Sequence, residues 1–153
     1  MWIIDYYPIT EDETGKHLKI HDSVTTINYR AFFKYGLTKL ILPANIKIGK
    51  EAFFTNQIKE LTIPKGVEIG ESAFRYNKIE KLTLSQNVMI GDYAFRSNNI
   101  KELIIPEGVR IGYKAFNNNK NLTKITLSPN VIIFQQAFSY NNIKEITIPE
   151  GVE

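Results

Sequence analysis

A chain of 153 residues is the length of one domain, and 43% apolar with 23% charged residues is the composition of an ordinary globular protein. The net charge of +3 is spread as alternating signs, without the basic block or stripe of a nucleic-acid binder. The absence of cysteine excludes disulfides and thiolate metal sites, and the apolar opening Met1–Tyr7, short and carrying Asp5, reads as neither a signal peptide nor a membrane span.

Residues 1–17 read as an N-terminal capping segment. Trp2 to Ile9 is expected to pair with Lys16–Ile20 across Glu13-Thr14-Gly15, a hairpin-like turn that lays Trp2 and Tyr6 over the first coil. From 18 to 153 one phrase recurs, in about six to seven copies. Ala31, Ala52, Ala73, Ala94, Ala115 and Ala137 each precede a Phe, spaced by 21 residues four times and then by 22. The extra residue falls in Asn117-Asn118-Asn119-Lys120-Asn121, a polar run that loops out cheaply. Leu18-Lys19-Ile20 and Val24 to Ala31 form a degenerate first copy.

Within each copy a short alternation, such as Leu61-Thr62-Ile63 or Leu103-Ile104-Ile105, predicts a strand with one buried face. Pro or Ser then ends it, and Asn or Gly two residues later (Asn45, Gly66, Asn87, Gly108, Asn130, Gly151) suits a turn with positive φ. A second apolar pair, a Gly, two polar residues and Ala-Phe complete the unit. One copy has too few inward positions for a core; stacked copies have enough, because each presents the same shape to the next. The strands then line up in a parallel ladder, and Ala and Phe become internal columns. Phe95 is expected inside, Tyr93 at the surface. A period of 21 is too short for helix pairs and lies in the leucine-rich range of roughly 20–29 residues.

Leu37-x-x-Leu40-x-Leu42-x-x-Asn45 and Ile79-x-x-Leu82-x-Leu84-x-x-Asn87 resemble the leading segment of a leucine-rich repeat. The remainder, Val/Ile-x-Ile-Gly-x-x-Ala-Phe, resembles the BspA-like (Treponema pallidum type) class over residues 18–153. The resemblance implies a repeat solenoid: a leucine-rich repeat right-handed coil with a parallel β-sheet on one face and little helix. It also implies a bacterial surface or secreted protein, an adhesin or host-matrix binder. The chain departs from that pattern where Asn56, Asn77, Asn98, Asn119 and Asn141 replace a frequent Cys, and where Phe134 replaces Gly. A structural account of the Asn column comes first: stacked amides that satisfy backbone groups and each other.

Catalytic patterns are wanting. His17 and His21 flank a short strand beside Asp22, but no further ligand recurs near them, and exposed polar residues are the plainer account. His21-Asp22-Ser23 is not a triad, since adjacent side chains point apart. Asn121-Leu122-Thr123 matches a glycosylation sequon of the kind an Asn- and Thr-rich chain yields by chance. No enzyme activity and no cofactor are expected.

The outward residues are the candidate binding sites. Lys39, Glu60, Lys81, Glu102, Lys124 and Glu145 precede the strands, so that neighbours on the ladder are plus to minus throughout, which fixes register. This alternation and that of Asn with Gly in the turn both point to a 42-residue duplication unit. Beside it lies a stripe of Ile41, Thr62, Thr83, Ile104, Thr126 and Thr147. A second candidate flanks Ala-Phe: Phe33, Phe54, Arg75, Tyr76, Arg96 and Tyr140, residue types enriched at interfaces. Against each stands a plain alternative, a solvated sheet face and padding on the rim. The function expected is a protein- or glycan-binding scaffold, or else a passive spacer in a larger surface protein, with no nucleic acid and no membrane insertion by this segment. The sixth copy stops within its second half, so a longer stack, fraying of the last copy or end-to-end self-association is expected.

Overall fold

The computed structural model describes residues 9–153 and is a parallel β-solenoid of about six turns with no helix among the described residues. Fourteen strands succeed one another: β1 (Ile9–Asp12), β2 (Gly15–Lys19), β3 (Thr26–Ile27), β4 (Leu37–Ile41), β5 (Lys47–Ile48), β6 (Glu60–Ile63), β7 (Glu68–Ile69), β8 (Lys81–Leu84), β9 (Met89–Ile90), β10 (Glu102–Ile105), β11 (Arg110–Ile111), β12 (Lys124–Leu127), β13 (Ile132–Ile133) and β14 (Glu145–Thr147). The even-numbered strands, with β1 at their edge, form the front. The odd-numbered strands from β3 onward form the back.

The front is not the single ladder that the repeat predicts. It is hydrogen-bonded as β1-β2-β4, β6-β8 and β10-β12-β14, with seams after β4 and after β8. At the second seam the bond from Lys101 N to Glu80 O stretches to 3.4 Å. The back, which the sequence marks only as an apolar pair, is one unbroken six-stranded parallel sheet, β3-β5-β7-β9-β11-β13. Two-residue strands suffice there because each coil also donates from its flanking residues, as Gly70 N does to Ile48 O at 2.8 Å.

The coil closes without helix because each full turn holds three residues in the left-handed region. In successive coils these are Asn45, Glu51 and Thr55; Gly66, Ser72 and Tyr76; Asn87, Tyr93 and Ser97. Only the first of each set was legible as a turn residue. Non-glycine residues there cost about 1–3 kcal/mol each, which intercoil bonding offsets. At the Ala-Phe corner Glu51, Phe53 and Thr55 donate to Glu71, Ala73 and Arg75 of the next coil, all at 2.9 Å. The turn's alternation of Asn with Gly has a steric cause as well. A Cβ on Gly66 would lie 2.1 Å from Asn45 Oδ1, and one on Gly108 equally close to Asn87 Oδ1. Each Asn side chain occupies the space that the next coil's Gly leaves open.

The core is a set of columns along the stack axis. Phe53, Phe74, Phe95 and Phe116 are fully buried, with ring centroids 5.2–5.3 Å apart and nearly parallel planes. Offset stacks at this separation are favourable beyond the area they bury. The buried Asn column binds backbone, not its own neighbours. Asn98 Nδ2 donates to Phe74 O and Phe95 O, while its Oδ1 accepts from Ile79 N. The carbonyls of Phe53, Phe74, Phe95 and Phe116 thus each serve two asparagines, and each asparagine two coils, because both amide protons are taken before one side chain can reach the next. The added residue is absorbed at Asn119: Asn141 Oδ1 accepts from Asn119 N instead of from Leu122 N, which turns to Asn119 O.

At the start, β1 pairs antiparallel with β2, with Asp12 opposite Gly15. Of the expected hairpin, Ile9 lies opposite Leu18 and the pairing runs on through Asp12, whose Oδ1 accepts from Thr14 N at 2.7 Å and tightens the turn. Trp2 and Tyr6 lie outside the described residues. At the other end β14 pairs, among the described residues, only with β12, and Ile146 and Ile148 are exposed. Phe138 N has no acceptor among the described residues, whereas Phe95 N donates to Ala115 O at 2.8 Å. Hydrogen exchange should therefore be faster at Phe138 and Glu145–Thr147 than at Phe95 and Leu103–Ile105. Equal protection in a monomer would contradict this arrangement.

Candidate functional site

The front exposes the stripe expected of it. Thr62, Thr83 and Thr147 are exposed, Thr126 is half-buried, and Ile41 and Ile104 are 45% and 67% exposed. Pairing sets Glu60 beside Lys81 and Thr62 beside Thr83, and puts Glu102, Lys124 and Glu145 in one row. The expected row of ion pairs does not form: among the described residues, none of Lys39, Glu60, Lys81, Glu102, Lys124 and Glu145 lies within 4.0 Å of an opposite charge. On an open sheet face the ordering of two long side chains outweighs the attraction that water leaves them. Ion pairs form elsewhere: Lys101 with Glu80 at 2.7 Å across the second seam, Lys50 with Glu71 at 2.9 Å at the corner, and Lys47 with Glu68 on the back. Lys101 holds the Glu80 carboxyl below the usual carboxylate range. Lys81→Glu, which sets an acid beside Glu60 and across the seam from Glu102, should lower the melting temperature at low salt, and added salt should close the gap. An unchanged melting temperature at low salt would show that these charges do not sense one another.

The flank beside Ala-Phe is where expected residues converge. Phe33 stacks on Phe54, and Phe54 meets the edge of Tyr76. The Arg75 guanidinium sits over Tyr76 at 4.7 Å and within 6 Å of Phe54 and Tyr93, while Arg96 sits 5.7 Å from Tyr93. Tyr140 is 78% exposed and has no ring contact among the described residues, so it does not join the others. Tyr93, Tyr113 and Lys114 belong to the group and were missed. Tyr93 is half-buried rather than a plain surface residue, and meets Tyr113 edge-on at 5.4 Å. The two stand in different columns of the repeat, and it is the left-handed backbone of Tyr93 (φ 57°) that joins them. The Lys114 ammonium, 4.9 Å from the Tyr113 ring centroid, holds that phenol below its ordinary value.

The remaining candidates are local. His17 shares a hydrogen bond with Thr14 Oγ1, and His21 Nδ1 with Ser23 Oγ. Among the described residues no group of three or more His, Asp or Glu stands close enough to share a metal ion. On the back, Phe134 keeps its ladder bond to Ile111 O at 2.9 Å although a Cβ in this column, as at Gly91, would crowd Ile69 O at 2.6 Å. It lines, with Gly112, an open groove of about 420 Å³.

The sequence profile of the BspA type leucine-rich repeat region matches residues 10–97 and 47–153, as six copies. The chain belongs to that family. None of the curated proteins searched matches it. The BspA-type family is one of repeat scaffolds, which accords with a coil whose buried polar asparagines are all committed to intercoil bonds.

Proposed function

We propose that the chain is a non-catalytic binding scaffold, carried on a bacterial cell surface or secreted, that engages a protein or glycan in adhesion or host contact. The observation that carries this reading is the division of labour within each coil. Buried positions repeat nearly unchanged because the stack needs them, whereas the side chains of the uncharged stripe from Ile41 to Thr147 make no hydrogen bond among the described residues. An exposed Ile104 flanked by unpaired charges suits a partner that covers the isoleucine and meets the charges at its rim. The family resemblance supports the surface location, which the signal and anchor segments of the full gene product would test.

Binding of the 153-residue chain to a glycan array and to a panel of purified extracellular-matrix proteins tests the reading. The front-face variant Ile41→Glu/Thr83→Glu/Ile104→Glu should lose that binding while keeping its melting temperature at high salt, where the new acids are screened from one another. If no member of either panel binds while neighbouring regions of the parent protein do, the chain is a passive spacer.

A further inference from the structure

The flank divides into two electrostatic halves. In its first coils the cations are answered by acids of the next coil, Arg30 by Glu51 and Lys50 by Glu71. In the later coils they are not. Arg75, Arg96 and Lys114, from three successive coils, have no carboxylate within 4.0 Å among the described residues. The Asp92 carboxylate, on the coil of Arg96, accepts through its Oδ1 from Tyr113 N. Arg75 uses one donor on the Tyr76 hydroxyl at 3.1 Å, and the Arg96 side chain makes no hydrogen bond among the described residues. The Nε atoms of both arginines are buried without a partner. Each guanidinium has thus given up part of its hydration against an aromatic ring without meeting a counter-charge, and outer donors remain on both that no protein group takes among the described residues.

We propose that this half of the flank is a docking surface for a sulfated polysaccharide, with Arg75, Arg96 and Lys114 meeting sulfate groups and the hydroxyls of Tyr76, Tyr93 and Tyr113 meeting the sugar. The inference rests on the scaffold reading above and names a ligand class for it. Charge complementarity requires an anion, and spacing selects its carrier. An extended acidic peptide presents same-side groups about every 6.6–6.8 Å, out of step with coils stacked at about 4.8 Å. A single-stranded nucleic acid needs open ring faces for its bases, and here cations already cover them. The oxygens of a sulfate ester diverge and reach donors on two coils at once, whereas those of a carboxylate lie in one plane.

The test is binding of the chain to immobilised heparin at several salt concentrations. Arg75→Gln/Arg96→Gln should weaken it about tenfold or more and flatten its salt dependence, with the melting temperature kept. Lys59→Gln/Lys78→Gln removes the same charge elsewhere and should change it little. Desulfated heparin, poly-glutamate and single-stranded DNA should compete poorly. Equal losses in the two double variants, or equal competition by poly-glutamate or DNA, would reduce the effect to general charge and overturn the proposal. Absent heparin binding with front-face binding intact overturns it and leaves the scaffold reading standing. Absence of both removes that reading too.

Discussion

Phe95→Ala is expected to cost about 3–5 kcal/mol, and Tyr93→Ala, two residues earlier, far less. Phe95 is fully buried between Phe74 and Phe116, at centroid distances of 5.3 Å on both sides. Its removal takes a ring from the middle of a column and leaves a cavity that two stiff neighbouring coils cannot close. Tyr93 gives up an edge contact and two arginine neighbours, and Ala in its place meets the same left-handed backbone (φ 57°). Urea denaturation of both variants is the measurement, read as the whole curve because coils can unfold in succession. Equal losses would mean that the column does not carry the stack.

Asn98→Ala should destabilise by about 3 kcal/mol, since a buried donor left without an acceptor costs about 1–3 kcal/mol before the lost amide bonds are counted. Ile79 N loses its acceptor, while Phe74 O and Phe95 O keep the second asparagine that each already serves. That sharing makes a sharper forecast. In Asn77→Ala/Asn98→Ala the Phe74 carbonyl loses both its amide partners at once, so the double variant should lose more than the sum of the singles. Additive losses would show that the carbonyls are satisfied in another way.

The columns were legible because stacking imposes the same demand on every copy: Ala-Phe, the strand alternation and the Asn column repeat, and each took the expected side of the coil wall. What escaped notice was whatever joins one column to another. The back sheet has strands of two residues, too short for an alternation to show. The left-handed corners are filled by Glu, Ser, Tyr, Lys and Gln, which carry no turn signature, since the backbone there is held by bonds to the next coil and not by residue type. The Tyr93–Tyr113 contact and the Glu80–Lys101 pair were hidden differently. The first crosses columns; the second lies one place before the charge row that drew attention. The charge row itself was placed correctly, but side-chain freedom in water keeps its members apart.

The two seams in the front and the unbroken ladder behind give the coil a direction in which it yields. Opening the front along the lines after β4 or β8 breaks no strand ladder, only flanking bonds such as Gln57 N to Leu37 O at 2.8 Å and Asn99 N to Ile79 O at 2.9 Å, with the Glu80–Lys101 pair a further tie across the second. Opening the back at any joint must rupture parallel backbone hydrogen bonds. The stack therefore behaves as a leaf spring with a stiff spine: its curvature changes by spreading the front, in blocks of two or three coils. A tether pulling on one end bends it about the spine before any coil unravels, and the front stripe lengthens or shortens as it bends.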